Sequence, residues 1–302
     1  MKILFLTDNF PPEVNAAASR VYERAIYWAK WGHEVTVLTS APNFPQGKVY
    51  PGYKNKLYQT EIVDGIKVVR VKTFMAENKG AILRILDYIS YMCSAIVMGI
   101  FIKKTDVVVA TSPQFFTAIA GYILSKFKRL PFIFEISDLW PATVVSVGVM
   151  KSGVLLNIFE KIELYLYKQS KAIIAQTKSF KDDLVSRGID GSKISVIYNG
   201  VLTSTFFPRE KKKSFLKKYV ANPNNIIFGY IGTHGMCQDL GEVISQVNLL
   251  KKNDNIEFIF VGEGAEKKML LSLVDKLKLN NVRFYGQVSK SEVPDVWSIC
   301  DV

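Results

Sequence analysis

Short apolar segments alternate with amphipathic ones along the whole chain. Apolar runs bounded by polar or small residues predict strands at 3–7, 34–40, 67–73, 106–111, 131–137, 172–177, 194–198, 226–232, 256–261 and 282–286. Apolar positions three and four residues apart predict helices at 17–31, 80–103, 115–127, 152–169, 178–187, 239–252, 264–278 and 289–298. Because strands that alternate with helices form parallel sheets, the pattern predicts an α/β fold.

One structural plan occurs twice in the chain. The apolar run Ile3–Thr7 leads through a loop to a helix that begins near Asn15, and Ile226–Thr233 leads in the same way to a helix near Asp239. A buried strand, a loop of small residues and a helix form the start of a doubly wound domain. The sequence therefore predicts two Rossmann-like domains.

The polar stretch 202–224 contains prolines and lysine runs, and it separates domain 1–201 from domain 225–302 as a predicted linker. Few strands are predicted in the second domain, while a doubly wound sheet usually has about five or six. We therefore expect the chain to be cut within its C-terminal domain. Such a fragment is expected to be inactive, with a first domain that resists protease better than the second.

Residues 61–72 interrupt the alternation of strands and helices. Asp64-Gly65 lies between the β-prone runs 61–63 and 66–71. This dipeptide between two such runs predicts a β-hairpin.

The formal net charge of +12 narrows the class of partners. Runs such as Lys211–Lys213 are typical of a solvated linker, and they also suit an anionic membrane surface or an anionic substrate. Nucleic acid is not expected as a partner, because no recognition motif accompanies the charge. Three cysteines without a CxxC pair indicate a reducing compartment, and Asp8 ends the first apolar run too early for a signal peptide.

The apolar segment 82–102 is close to the length of about 20 residues that a membrane-spanning helix needs. Asp87 and Ser90 within it favour a helix that is buried or faces a membrane surface. The strand predicted at 106–111 favours the same interpretation, because it follows almost at once and must rejoin the sheet. A true span remains the alternative.

The first loop of the N-terminal domain ends in small residues at a helix start, Asn15-Ala16-Ala17. Small side chains there allow a ligand to approach the backbone N–H groups and the positive end of the helix dipole. Simple capping of the helix by Asn15 explains the same residues.

A second group of polar residues follows the strand predicted at 131–137. Because ligands bind at the carboxyl ends of parallel strands, Glu135, Asp138 and Trp140 are candidates for a site. Asp138 could accept a proton or hold a sugar hydroxyl, and Trp140 could stack on a sugar ring. The alternative is that Asp138 caps the next helix.

Three further loops follow strands and contain glycine: Asn199-Gly200, the stretch 232–238, and Gly262-Glu263-Gly264. The last resembles a dinucleotide fingerprint that lacks its third glycine, because Lys267 occupies that position. Each loop alone is weak evidence, and their order along the chain is more specific.

The order of these motifs resembles that of family 4 glycosyltransferases of the GT-B fold. The resemblance lies in the loop after the first strand, GHEVTVLT at 32–39, NGV at 199–201, GTHG at 232–235 and GEG at 262–264. Three more stretches, 41–48, 52–57 and 64–71, resemble a narrower group, the proposed N-acetyl-L-fucosamine-type transferases of bacterial O-antigen and capsule assembly.

The resemblance implies a retaining transfer from a nucleotide-sugar that uses no metal and no cofactor, and the chain has no Asp-x-Asp motif. It implies that the second domain holds the donor and the first the acceptor. Asp138 would bind or polarise the acceptor hydroxyl. The acceptor-side residues would be Asn15, Ala16, Ala17, Glu135 and Trp140. The donor-binding residues would be Asn199, Gly200, Gly232, Thr233, His234, Gln238, Gly262, Glu263, Gly264, Gly286 and Val288.

Three features depart from the family pattern. Asn15-Ala16-Ala17 stands where the family often has Gly-Gly, and a Glu-x7-Glu motif is expected beyond Val302. His234 and Gln238 stand where an Arg and a Lys often hold the donor diphosphate. Two lost cations would weaken diphosphate binding, because charge-assisted hydrogen bonds are the strong ones.

The expected activity is transfer of a sugar, such as an N-acetylated deoxyhexosamine, from UDP or a similar nucleotide to a polyprenyl-diphosphate-linked saccharide. A GT-B sugar-nucleotide epimerase and a non-catalytic assembly protein are the alternatives. The net charge of +12 and the apolar segment 82–102 predict a cytoplasmic protein held on the anionic inner face of the plasma membrane.

Overall fold

The computed structural model describes residues 1–44, 46–75, 81–112, 115–139 and 153–302. The chain divides into two units, Met1–Asn199 and Gly200–Val302. The first unit contains, in chain order, β1 (Lys2–Leu6), α1 (Ala16–Lys30), β2 (Glu34–Ser40), β3 (Tyr58–Val63), β4 (Ile66–Val71), α2 (Ala81–Ile100), β5 (Val107–Thr111), α3 (Phe115–Lys128), β6 (Phe132–Ile136), α4 (Val154–Gln169), β7 (Ala172–Ala175), α5 (Lys178–Ser186), a 3-10 turn (Gly191–Lys193) and β8 (Ile194–Val196).

The first unit is built on one sheet with the strand order β3-β4-β2-β1-β5-β6-β7-β8. Strand β3 pairs with β4 in the antiparallel sense, while the pairs from β4 to β8 are parallel. Asp64 and Gly65 join β3 to β4 with φ angles of 49° and 81°. The predicted hairpin is confirmed, because its turn needs two residues with positive φ.

Helices cover both faces of this sheet, so its strands are apolar on both sides. In β1, Leu4 and Leu6 pack in the cluster that contains Tyr91 of α2, whereas Ile3 and Phe5 pack on the other face. A parallel sheet buried on both faces requires such continuous apolar runs. The predicted α/β fold is confirmed in this unit, and the carboxyl ends of its parallel strands lie along one edge, called here the carboxyl edge.

Helix α2 is long and apolar, and most of its described side chains are half-buried rather than fully buried. Within the part of the chain that the structure describes, it is the helix that meets the length and composition of a membrane span, over Leu83–Ile100 with a mean hydropathy of 1.4. Only 17% of this window is buried. The helix nevertheless packs on the sheet, where the hydroxyl of its Tyr91 donates to the carbonyl of Leu38 at 2.8 Å.

The second unit repeats the plan of the first on a smaller scale. Its elements are α6 (Lys213–Tyr219), β9 (Ile226–Ile231), a 3-10 turn (Met236–Gln238), α7 (Leu240–Val247), a 3-10 turn (Asn248–Leu250), β10 (Ile256–Val261), α8 (Lys267–Leu277), β11 (Val282–Tyr285) and α9 (Val293–Ser298). The strands form a parallel sheet in the order β11-β10-β9. Beside β9, the backbone N–H of Gly229 donates to the carbonyl of Val302 at 2.8 Å.

The segment 202–224, predicted as a linker, lies within the second unit. Its helix α6 buries Tyr219 to 1% exposure against Ile227, Ile259 and Val296. The hydroxyl of Tyr285 donates to the carbonyl of Tyr219 at 2.8 Å. Of the lysines that suggested a linker, Lys211 and Lys212 precede α6 and pair with Asp301 and Asp295, while Lys217 and Lys218 are exposed on the helix.

Candidate functional site

Asn15, the last residue of the loop between β1 and α1, caps the N-terminus of α1. The side chain of Asn15 accepts a hydrogen bond from the amide of Ala18 at 2.8 Å and donates to Asn9 at 3.1 Å. Ala16 and Ala17 form the start of α1, where backbone N–H groups have no intrahelical acceptor. Asn15 therefore caps the helix, and the amides of Ala16 and Ala17 still have no acceptor within the helix.

Two buried charged residues hold this loop in place. The Glu13 carboxylate accepts from the amides of Phe10, Asn43 and Phe44, at 3.2, 2.8 and 2.8 Å. Burial raises the pKa of Glu13, and these three hydrogen bonds partly oppose that effect. Arg70, 1% exposed, donates to the carbonyl of Pro11 at 2.6 Å. The loop is therefore fixed before any ligand arrives.

Glu135 is completely buried and pairs with two arginines of α1. Its carboxylate lies 3.3 Å from Arg20 Nε and 2.5 Å from a guanidinium nitrogen of Arg24. Burial lowers the pKa of Arg20, and Glu135 opposes that effect. Glu135 therefore holds α1 against β6. It would affect an acceptor only indirectly, through the placement of α1.

Arg20 continues from this pair to the carboxyl edge. It donates to the carbonyl of Ser112 at 3.0 Å and to the hydroxyl of Ser137 at 2.8 Å. The amide of Asp138 donates to the Ser112 hydroxyl at 3.2 Å, so Asp138 lies at this edge and is half-buried. Trp140, predicted to stack on a sugar, lies outside the described residues.

The carboxyl edge of the second sheet brings together two of the predicted donor loops. The amide of Gly232 donates to Val261 O at 3.0 Å, and the amide of His234 donates to Glu263 O at 3.0 Å. Gly262 and Gly264 allow this approach. A Cβ atom added at Gly262 would lie 1.8 Å from the carbonyl oxygen of Gly232, and one at Gly264 would lie 2.2 Å from that of His234.

Several backbone N–H groups stay open at this edge. In the described part of the chain, no acceptor contacts the amides of Gly235, Glu263 or Gly264. Backbone amides of this kind, held in glycine loops after parallel strands, are suited to bind phosphate oxygens.

His234 is fully buried between the loops. Neither of its ring nitrogens has a hydrogen-bond partner among the described residues. Its ring packs edge-on to Phe284, with 5.4 Å between the centroids. Burial and nearby Lys267 lower the pKa of His234, although Glu263 opposes them. The imidazole is therefore neutral near pH 7 and can both donate and accept a hydrogen bond.

Lys267 is the functional candidate that the sequence did not single out. Its ammonium group donates to Gly262 O at 2.9 Å, to Tyr285 O at 2.9 Å and to the Glu263 carboxylate at 2.7 Å. A cation therefore lies at the carboxyl edge although His234 and Gln238 replace the family's two. The sequence contained one indication of this role. Lys267 lies five residues after Gly262, close enough for its side chain to fold back onto the loop.

The other predicted donor residues lie at several separate positions. Gly286 follows β11, and a Cβ atom there would lie 3.5 Å from a Glu263 carboxylate oxygen. Val288 packs in the cluster around Val296, and Gln238 is exposed. Asn199 lies in the first unit, where Gln176 donates to it at 3.0 Å, while Gly200 begins the second unit.

Acidification is expected to destabilise the second unit through His234. Folding lowers the pKa of His234 below its ordinary value of 6.5, so as the pH falls the unfolded chain binds a proton before the folded chain does. Stability is then fully present above that pH and falls by at most about 1.4 kcal/mol for each pH unit below it. Urea unfolding from about pH 8 to about pH 5 checks this slope. The variant His234→Gln should show a flatter profile, and an equal slope in both proteins would contradict the assignment.

Two units, each built on a mainly parallel sheet, are the architecture of the GT-B fold. The model of Glycosyltransferase Family 4 matches residues 17–205, and that of Glycosyl transferases group 1 matches residues 211–302. The chain belongs to Glycosyltransferase Family 4.

Several known proteins are similar to this chain in sequence or in fold. The chain is 24% identical to WcaI of Escherichia coli (strain K12), a glycosyl transferase assigned to colanic acid biosynthesis, over 100% of the chain and 75% of WcaI. Anabaena HepE in complex with UDP-glucose has a TM-score of 0.67 at 16% identity, over 100% of this chain and 72% of HepE. WaaG, a glycosyltransferase of lipopolysaccharide biosynthesis, has a TM-score of 0.70 at 13% identity, over 99% and 73%.

Proposed function

We propose that this chain transfers a sugar, with retention and without a metal, from a nucleotide-sugar to a lipid-linked saccharide of a bacterial surface polysaccharide. The observation that carries the proposal is the closure of loops 232–238 and 262–266 on each other, with Lys267 and open amides at the carboxyl edge. The UDP-glucose complex of HepE supports a nucleotide-sugar donor, and the assignment of WcaI to colanic acid biosynthesis supports a surface polysaccharide as the product. An N-acetylated deoxyhexosamine is the sugar that we propose.

The donor side would act by binding the diphosphate. As the bond to the sugar breaks, negative charge grows on the leaving nucleoside diphosphate. The N–H groups of Gly235, Glu263 and Gly264 would stabilise that charge without reorganisation. Lys267 would fix the loop carbonyls and hold Glu263, and neutral His234 would offer one further donor from the protein interior.

The acceptor side would use the carboxyl edge of the first unit. Asp138 would polarise the acceptor hydroxyl, and the start of α1 at Ala16 and Ala17 would face an anionic part of the acceptor. A polyprenyl diphosphate is such an acceptor. Because that acceptor is membrane-bound, we propose that the protein lies on the cytoplasmic face of the plasma membrane.

The test is a transfer assay with radiolabelled UDP-sugars and a polyprenyl-diphosphate-linked saccharide. The proposal expects label in the lipid fraction, with the anomeric configuration of the donor kept and with no loss in EDTA. Conversion of the donor sugar without an acceptor would instead identify an epimerase. Absence of both reactions, together with no binding of UDP-sugars in calorimetry, would support an assembly role.

Substitution Lys267→Met is expected to weaken UDP-glucose binding by about tenfold, because a charge-assisted hydrogen bond contributes roughly 1.5–3 kcal/mol and only part of it concerns the ligand. Calorimetry on the purified variants measures the change. Lys268→Met is the matched control, because Lys268 is exposed and has no charged partner in the described part of the chain. Equal affinities in the two variants would remove Lys267 from the donor site.

A further inference from the structure

A cavity of about 360 Å³ opens on the first unit at the ends of the parallel strands opposite the carboxyl edge. Its walls are the first residues of β1 and β2, Lys67 of β4 and the segment that joins α2 to β5. Tyr58 of the edge strand and Phe101 supply aromatic surface. Nothing in the proposed transfer reaction uses this cavity.

Lysine side chains dominate its lining: Lys2, Lys67, Lys103 and Lys104. Two carboxylates contact Lys2. Glu34 lies 3.7 Å from the ammonium of Lys2, and Asp106 accepts from the backbone N–H of Lys2 at 2.7 Å. Lys67, Lys103 and Lys104 have no ion-pair partner among the described residues and are exposed. The cavity therefore keeps a surplus of positive charge suited to a phosphate group.

An apolar stripe runs into this basic cavity. Leu83, Leu86 and Val97 of α2 are 47%, 47% and 51% exposed, and Phe101 at its end is 69% exposed. Their spacings of three, eleven and four residues place them on one face of the helix. Ser90 and Ser94 interrupt this face, where they bond to the segment 72–74. Phe127 of α3, 64% exposed, extends the apolar surface, because Lys128 ties α3 to the carbonyls at 100 and 102.

Helix α2 cannot leave the unit easily to cross a bilayer. A Cβ atom on Gly99 would lie 2.5 Å from Leu124 of α3, so the two helices pack in close contact. The hydroxyl of Tyr91 is bonded to the sheet. One face of the helix is thus fixed to protein, while the opposite face exposes apolar side chains toward both of its ends. Such an arrangement suits a helix that lies in a membrane interface.

We propose that this surface binds an anionic phospholipid, with the headgroup phosphate among Lys67, Lys103 and Lys104 and the acyl region against Phe101 and the α2 stripe. The inference rests on the proposed membrane location and names the lipid class and the site. Because α2 runs from the carboxyl edge at its start to the cavity at its end, the same membrane surface would also reach the edge that holds Asp138.

The test is sedimentation of the full chain with vesicles of phosphatidylcholine, alone or mixed with phosphatidylglycerol. Binding should require phosphatidylglycerol and weaken as salt rises. The double variant Lys103→Gln/Lys104→Gln should bind about 30-fold more weakly, since each surface lysine contributes about 1 kcal/mol. Phe101→Ser should weaken binding at high salt as well, because its contribution is apolar.

The matched control is Lys251→Gln/Lys252→Gln, which removes the same charge from exposed positions of the second unit. If both double variants lose the same affinity, attachment depends on net charge and the site is wrong. If the wild-type chain ignores phosphatidylglycerol, the membrane location fails too, whereas sugar transfer in detergent would still stand. Competition by soluble glycerol phosphate beyond the effect of matched chloride would reassign the cavity to a free phosphate compound.

Discussion

Replacing Glu135 with alanine is expected to destabilise the first unit by about 3–5 kcal/mol, the usual cost of removing one partner of a buried ion pair. The carboxylate has no exposed surface, and the side chains of Arg20 and Arg24 are only 13% and 16% exposed. Without Glu135, two guanidinium groups would remain in a largely dry environment without their anion. Urea unfolding followed by tryptophan fluorescence and circular dichroism measures the loss.

The control for this variant is the exposed ion pair of α5. Asp182 lies 2.6 Å from Lys178, but both side chains are more than half exposed. Asp182→Ala is expected to leave the unfolding curve unchanged, because exposed pairs contribute little. Glu135→Gln should fall between the two, since the amide keeps the shape and one acceptor. A Glu135→Ala protein as stable as the wild type would show that this pair does not hold α1.

Gly264→Ala is expected to lower the affinity for UDP-glucose by about 100-fold, because a loop displaced by about 1 Å misplaces its binding groups. The new methyl group would lie 2.2 Å from the carbonyl oxygen of His234 and 2.7 Å from its nitrogen. Both atoms are backbone, so the loop itself must move. Overpacking of this kind should also destabilise the second unit by about 1–3 kcal/mol.

Gly241→Ala serves as the matched substitution in the same unit. Gly241 lies in α7, and the nearest atom to an added Cβ there is the terminal carbon of Met269, at 3.8 Å. Alanine in a helix is favoured over glycine by about 0.5–1 kcal/mol, so this variant should be as stable as the wild type or more so. Calorimetric titration with UDP-glucose should give wild-type affinity for Gly241→Ala, and weak binding in both variants would contradict the role of Gly264.

The fold was predictable because its strands are apolar on both faces and its turns contain specific residues. The predicted segments 34–40 and 256–261 have the same first and last residues as β2 and β10. Asp64-Gly65 specified the hairpin through positive φ. The segment 202–224 was less predictable, because the lysines of α6 hide the contact of Tyr219 with the sheet.

The candidate sites were predictable at the level of loops but not of partners. Gly232, Gly262 and Gly264 lie together because strand ends in a parallel sheet share one edge. The sequence did not predict that Glu135 pairs with the arginines of α1, because a carboxylate before a loop gives the same sequence pattern whether it faces solvent or an arginine. Lys267 was not predicted as a cation of this site, because the family pattern places its two cations at the positions of His234 and Gln238.

Arg70 connects the outer hairpin of the first sheet to the loop before α1, which is distant from the hairpin in sequence. Its guanidinium group joins Glu61 of β3 at 2.6 Å, the carbonyl of Ser40 at 2.9 Å and the carbonyl of Pro11 at 2.6 Å. Any shift of the edge strand is therefore transmitted to the turn that precedes α1. Acceptor preference in this enzyme could be retuned from the sheet margin, by substitutions that leave every proposed acceptor residue in place.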